Sequence, residues 1–258
     1  LYFNESNYQK ILKMINNPNG IILVTGATGS GKSTTVYSFL QKLNVEGVNI
    51  ITVEDPVEMD IEGISQVQVN SDIGLDFSTV LRSILRQDPN VIMIGEIRDS
   101  ETARIAVRAS ITGHLVLSTL HTNNSLNTIE RLLDMDVERY LLASALTGIV
   151  SQKLARKLCP KCRVKRETTP YEKKLFKAVI GQDVDFIYVA KGCPECSSGY
   201  RGRIAIHEVL LINQDIRDAI SDGIKKEKLR ELVYNSDVIT LLQDGLYKVV
   251  GGFTTFEE

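Results

Sequence analysis

The sequence predicts an α/β protein built on a doubly wound, mostly parallel sheet. Three observations predict it. Strand-like and helix-like patterns alternate through residues 20–155, the order that lays helices on both faces of a parallel sheet. The runs at 21–24 and 91–94 are apolar without a break, as in strands covered on both sides. A glycine-rich loop joins the first of these runs directly to a helical pattern.

The elements follow in order. Residues 4–16 place Tyr8, Ile11, Leu12 and Ile15 at helical spacing, and Asn17-Pro18-Asn19-Gly20 stops that helix and turns the chain. A strand at 21–24 leads through Gly26-x-x-x-x-Gly31-Lys32-Ser33 into a helix over 34–43. A second buried strand, 49–53, ends in Glu54-Asp55-Pro56-Val57-Glu58. Residues 65–69 alternate as a short strand. Residues 77–87 read as a helix with Arg82 and Arg86 on one face. The apolar strand 91–94 ends in Gly95-Glu96. A helix over 100–111, with Ser100 as its N-cap, precedes a strand at 115–120 flanked by His114 and His121. Residues 125–133 and 140–153 read as helices completing the cover. A strand at 203–211 and small helices at 214–220, 226–234 and 239–250 complete the chain.

The glycine loop carries the first chemistry. Its strand, loop and helix order is that of a P-loop. Glycines at positions 26, 29 and 31 let backbone N–H groups approach phosphate oxygens, and the following helix adds a partial positive charge at its start. Residues Thr28, Gly29, Ser30, Gly31, Lys32, Ser33 and Thr34 form the expected ATP cradle. Lys32 reaches the β- and γ-phosphates and the Ser33 hydroxyl ligates Mg²⁺. Glu54 and Glu96 emerge at strand ends, where ligands bind in open α/β sheets. Carboxylates there orient water or hold Mg²⁺. His121, at the carboxyl end of its strand, is the better γ-phosphate sensor of the two histidines.

At 258 residues, 43% hydrophobic and 24% charged, the chain has the composition of a globular protein. Its formal net charge of −2 gives no overall pull toward nucleic acid or an anionic membrane. No apolar run approaches a membrane span, and no signal peptide is visible. With an ATP site, this points to the cytoplasm. The four cysteines form two pairs, Cys159-Pro160-Lys161-Cys162 and Cys193-Pro194-Glu195-Cys196. Four thiolates in two close pairs suit tetrahedral Zn²⁺, read as structural. A redox pair or two free dithiols are the alternatives.

Taken together, the P-loop, the 54–58 acidic box, Gly95-Glu96-Ile97-Arg98-Asp99, the 112–122 stretch with its two histidines and the paired cysteines resemble the type II/type IV secretion superfamily ATPases. The resemblance spans the whole chain and is strongest to the type IV pilus assembly ATPases and their type II secretion relatives. It implies a RecA-like P-loop NTPase, with a zinc-bound insertion and a small helical C-terminal portion. Residues 1–19 would be linker and leading helix, 20–155 the ATPase core, 156–203 the tetracysteine element and 204–258 the helical C-terminal subdomain. It implies Glu54 as the candidate general base, Glu96 as support for Mg²⁺ through water, and His121 near the γ-phosphate. From sequence, either glutamate takes the base role. Arg82 and Arg86 resemble arginine fingers reaching a neighbouring subunit's nucleotide.

The resemblance implies a biological setting as well. The family works as a ring, usually a homohexamer, in the cytoplasm at the inner face of the cytoplasmic membrane. It turns an inner-membrane platform protein so that pilins are extracted and polymerised. The family carries a further N-terminal domain that supplies more arginines. The start at Leu1 then reads as an interdomain linker in a truncated chain, or as the short form of a relative. The tetracysteine element favours assembly or secretion over retraction. Pilus assembly is the first reading, and type II secretion or DNA uptake the second. A nucleic-acid translocase is disfavoured because no Lys/Arg cluster with interleaved aromatics is present. A nucleotide-binding module without turnover is the remaining alternative.

Overall fold

In a computed structural model, which describes residues 3–235 and 237–258, the chain opens with helix α1 (Glu5–Ile15), capped by the Asn4 side chain accepting from the Asn7 N–H at 2.8 Å. Leu1 and Tyr2, the front of the expected linker, lie outside the described residues. Next come β1 (Gly20–Thr25), α2 (Lys32–Leu43), β2 (Ile50–Glu54), β3 (Ser65–Gln68), α3 (Phe77–Ile84), β4 (Val91–Ile94), α4 (Ser100–Ile111), β5 (Leu115–Leu120), α5 (Ser125–Asp134) and α6 (Arg139–Ala145). The remainder is β6 (Leu146–Leu158), β7 (Val164–Glu167), α7 (Pro170–Ile180), β8 (Phe186–Val189), β9 (Tyr200–Leu211), α8 (Gln214–Ser221), α9 (Lys226–Tyr234) and α10 (Leu241–Val250).

Seven strands form one sheet in the order β3-β2-β4-β5-β1-β6-β9. All neighbours run parallel except the last pair, β6 and β9. The sheet is doubly wound, as expected. Alternate residues of β1 show it: Ile21 and Leu23 belong to the core that also holds Leu81, Val107, Ile129 and Ile216. Ile22 and Val24 belong to the opposite core, with Ile11, Met14, Val36 and Leu40. Strand β1 is central and buried at all six positions, which is why it reads as an unbroken apolar run.

Three local expectations need correction. The helix expected over 140–153 ends at Ala145, and the chain continues as β6. The run Leu146 to Gln152 is buried throughout, between β1 on one edge and β9 on the other. A short run such as this reads equally as helix or strand by periodicity, and distant edge partners decide it. The helix expected over 77–87 stops at Ile84: Pro89 has no N–H to give the Leu85 carbonyl and cannot continue the helix, and Asp88 before it takes a φ of 51°. Arg86 therefore lies beyond the helix rather than one turn above Arg82 on it. The N-cap of α4 is Asp99, not Ser100: its Oδ1 accepts from the Thr102 N–H at 2.8 Å.

Strands β6 and β9 run on past the parallel sheet as a long antiparallel ribbon, crossing residues 155/156 and 203/204. The cysteine pairs follow β6 and precede β9. Between them, α7 and the antiparallel β7–β8 pair that flanks it in the chain pack with α10 around Phe176, Val184, Ile187, Leu246 and Val249.

Candidate functional site

The loop between β1 and α2 forms one wall of a cavity of about 310 Å³. Gly29 and Gly31 take φ of 78° and 83°, the left-handed region that only glycine enters freely. Gly31 opens α2 without a side-chain cap among the described residues, which leaves the first N–H groups of that helix uncapped. Such a helix start attracts anions. All seven residues expected to cradle phosphate, Thr28 through Thr34, line the cavity. Lys32 Nζ donates to the carbonyls of Gly26 and Ala27 at 2.8 and 3.0 Å and lies 3.3 Å from His121 Nδ1. Burial pulls the Lys32 ammonium pKa down, partly offset by the Glu96 charge. Ser33 Oγ lies 3.5 Å from Glu58 Oε1.

The opposite wall comes from the carboxyl ends of β2, β4 and β5, which are adjacent in the sheet. They deliver Glu54, then Glu96, then His121 into the same cavity. This is where an open parallel sheet places its ligand.

The two glutamates sit in different environments. Glu54 is 3% exposed. Tyr37 donates its hydroxyl to Glu54 Oε1. Thr52 Oγ1 and Gln66 Nε2 donate to Oε2 at 2.7 and 3.1 Å. Burial, with help from the Glu54 contact, pushes the Tyr37 phenol up to about 12, so it stays a donor. Glu96 instead accepts from Arg98 Nη2 at 2.5 Å, and its Oε2 lies 3.4 Å from His121 Nε2. The Arg98 guanidinium beside it holds the Glu96 carboxyl below the usual carboxylate range despite partial burial. Arg98 Nη1 reaches Asp55 Oδ2 at 3.2 Å.

Arg82 and Arg86 are not brought to this cavity. The Arg82 guanidinium pairs with Glu101 on α4, and both arginines are exposed. The arginine that reaches the site carboxylates is Arg98, which sequence reasoning passes over. Its one signal is its place two residues after Glu96. Tyr37, Thr52 and Gln66 also escape the sequence; they come from three separate elements and meet only at Glu54.

The four cysteines converge as expected. Their sulfurs all lie within 4.8 Å of one another. The Cys159–Cys193, Cys162–Cys196 and Cys193–Cys196 separations are 4.0, 3.7 and 3.6 Å. Four ligands at the usual Zn–S length of about 2.3 Å in a tetrahedron lie about 3.8 Å apart, so the set fits zinc. Cys159 is buried and the other three are half-buried. Burial raises the Cys196 thiol, but N–H and thiol hydrogen bonds from Cys193 outweigh it and bring it down to about 7.

The family described as Type II/IV secretion system protein matches residues 1–258. The type II secretion system protein E of Pectobacterium carotovorum subsp. carotovorum is 50% identical over 261 residues, covering 100% of this chain and 51% of that protein. The type II secretion system ATPase E of Vibrio cholerae serotype O1 is 47% identical over 256 residues, covering 99% of this chain and 50% of that protein. The chain spans about half the length of these curated relatives. Among solved structures, the pilus retraction motor PilT with bound ADP is similar over 100% of this chain and 64% of that one, at 32% identity and a TM-score of 0.74.

Proposed function

The chain belongs to the type II/IV secretion system protein family, and from that premise we propose that it is the ATP-hydrolysing motor part of a type II secretion machine. One observation carries the reading. The carboxyl ends of three adjacent parallel strands bring Glu54, Glu96 and His121 onto the cavity that the Lys32 loop closes. Sequence motifs alone put pilus assembly first and type II secretion second. The curated relatives support the reverse order, since those quoted are type II secretion proteins.

In this mechanism Lys32 leaves the Gly26 and Ala27 carbonyls for the phosphates. The donors that fit Mg²⁺ are the Ser33 hydroxyl and the carboxylates of Glu58 and Glu96, which line the same cavity. The ion would supply charge neutralisation on the transferred phosphoryl group. Glu54 and Glu96 divide the remaining work, one orienting the attacking water. Glu96 is held charged by Arg98 and His121. Glu54 first has to shed the three donors it now accepts from. His121 stands between Lys32 and Glu96, placed to follow the charge at the γ-position.

Arg82 and Arg86, exposed and outside this cavity, fit a role at a neighbouring subunit's site in a ring, usually six subunits. An arginine supplied in trans is worth about 10³–10⁵ in rate. We place the motor in the cytoplasm, held at the inner membrane by a platform protein. No helix of the described residues is long and apolar enough to cross a membrane. The cysteine cluster fits a structural Zn²⁺.

The test is Mg²⁺-dependent phosphate release. Lys32→Ala removes a donor aimed at developing charge, an effect of about 10²–10³ in rate. Turnover that survives both Glu54→Gln and Glu96→Gln would overturn the hydrolysis reading. Nucleotide retained without phosphate release would favour a binding module instead.

A further inference from the structure

Gln152 lies in β6, 1% exposed, directly against the phosphate loop. Its Nε2 donates to the Ser30 carbonyl at 2.6 Å. Its Oε1 accepts from Thr35 Oγ1 at 2.6 Å and lies 3.1 Å from His207 Nε2. A carbonyl only accepts, so the Ser30 contact fixes which way the Gln152 amide faces. The imidazole must then carry its hydrogen on Nε2. The backbone fits as closely: a Cβ on Gly31 would stand 2.8 Å from Gln152 Nε2, and one on Gly26 would stand 2.5 Å from the Gln152 carbonyl oxygen.

His207 sits opposite Gln152 in the β6–β9 ladder. It is fully buried, its ring stacks on Phe3 at 4.0 Å, and among the described residues its Nδ1 has no hydrogen-bond partner. Burial, with the nearby Lys248 charge, pushes its pKa down to about 3, which favours the neutral ring. An unpaired buried Nδ1 carries a desolvation cost that a phenyl ring in the same slot would not. The one hydrogen bond the ring makes among the described residues goes to Gln152.

We propose that Gln152 is the positioning residue of the phosphate loop and that His207 locks its amide in the working orientation. Peptide planarity supplies the mechanism. The Ser30 carbonyl and the Gly31 N–H point to opposite sides of one trans peptide. Holding the carbonyl on Gln152 aims the N–H away from the core, toward the phosphate side of the loop. An amide flipped the other way would present Oε1 to the Ser30 carbonyl and repel it. The hydroxyl of Thr35 on α2 is fixed by the same oxygen, so loop and helix start are set together. The proposal rests on the nucleotide-binding reading of the loop.

The test is titration of the 258-residue chain with a fluorescent ADP analogue, with a thermal melt of each variant. Lys32→Ala serves as the control for the loop itself. Gln152→Leu is expected to weaken binding about tenfold, the value of one or two lost hydrogen bonds. Gln152→Glu keeps shape and acceptors but loses the donor, and is expected to lose as much; it carries the test should Gln152→Leu not fold. His207→Phe keeps the ring on Phe3 and loses the donor, with a loss of about fivefold. His207→Gln returns a donor near the Nε2 position and is expected to recover binding to within about twofold. In the double variant, His207→Phe adds nothing to Gln152→Leu. Binding unchanged in both Gln152 variants and in His207→Phe, while Lys32→Ala fails to bind, overturns the proposal alone. Losses that multiply and are not recovered by His207→Gln also overturn it, as a packing effect. No binding by the unaltered chain overturns the nucleotide reading, and this proposal with it.

Discussion

Arg98 Nη2 donates to Glu96 Oε1 at 2.5 Å while its Nη1 reaches Asp55 Oδ2 at 3.2 Å. One guanidinium thus ties the acid after β4 to the acidic box after β2. The direction of the effect is fixed: the contact raises the Arg98 pKa and lowers that of Glu96. A carboxylate with a depressed pKa stays charged to lower pH than its ordinary value of 4.5. Arg98→Ala is expected to move the acid limb of the hydrolysis rate upward in pH. The stability the pair contributes is present above pH 4.5 and is lost as pH falls through the depressed value. Because Arg98 is half exposed, the loss at neutral pH is under about 1 kcal/mol. A pH–rate profile with an unmoved acid limb would count against Arg98 as the tuner of Glu96.

Tyr37 is expected to matter more to stability than its place beside a ligand cavity implies. Its hydroxyl donates to buried Glu54 and accepts the Glu58 N–H at 3.2 Å. Tyr37→Phe keeps the ring and removes one of three donors to a buried carboxylate. Hydrogen bonds to charged groups are worth about 1.5–3 kcal/mol, so urea unfolding is expected to show a loss in that range. Glu54→Gln leaves Tyr37 and Thr52 facing an amide and is expected to cost less than Glu54→Ala. Equal losses for those two would mean the network is not what holds Glu54.

Lys248 and Asp244 form a buried pair at 2.5 Å on α10. Lys248 also donates to the Ala205 carbonyl at 2.6 Å, and Asp244 accepts the His207 N–H at 2.8 Å. The pair therefore pins α10 to β9. Removing one partner strands a buried charge, which costs about 3–5 kcal/mol. Lys248→Met is expected to fall in that range by chemical denaturation, and the double change Asp244→Leu with Lys248→Met to cost clearly less. A double variant as destabilised as the sum of the singles would show that the two residues do not act as a pair.

How much of the fold and site is legible in the sequence depends on how far apart the determining contacts lie. The strands at 21–24, 91–94 and 115–120 are readable because burial on both faces writes itself as a continuous apolar run. The loop from Gly26 to Ser33 is readable because its geometry is local. The stretch after Ala145 misleads because the spacing of Leu146, Ile149 and Val150 also suits one helix face, and β6 is decided by β1 and β9 at long range. Arg82 and Arg86 look paired only if the helix continues past Ile84. Arg98 stands in plain view, but its partner Asp55 is 43 residues away. Gln152 falls inside the stretch that reads as helix, so the support of the phosphate loop is illegible until β6 is seen as a strand.

The cysteine cluster makes a prediction that separates zinc from thiol chemistry. The sulfurs are spaced as a tetrahedral ion requires, and Cys159, buried at the end of β6, has its N–H bound to the Gly199 carbonyl at 2.9 Å. The cluster thus staples the exit of β6 to the entry of β9, the two strands that carry Gln152 and His207 into the core. Metal analysis of protein purified without chelator is expected to give one zinc per chain. Cys162→Ser or Cys196→Ser is expected to lose it and to lower the melting temperature. Structural zinc in small domains supplies about 10–16 kcal/mol of apparent folding free energy. Here the sheet and its two cores fold around other contacts, so the loss is expected as local opening of residues 159–199. Hydrogen exchange there should rise sharply while β1, β4 and β5 stay protected. Loss of protection in β1 together with the cysteine region would instead make the zinc part of one cooperative unit with the nucleotide site. A chain purified with free, rapidly alkylated thiols and no metal would rule the zinc assignment out.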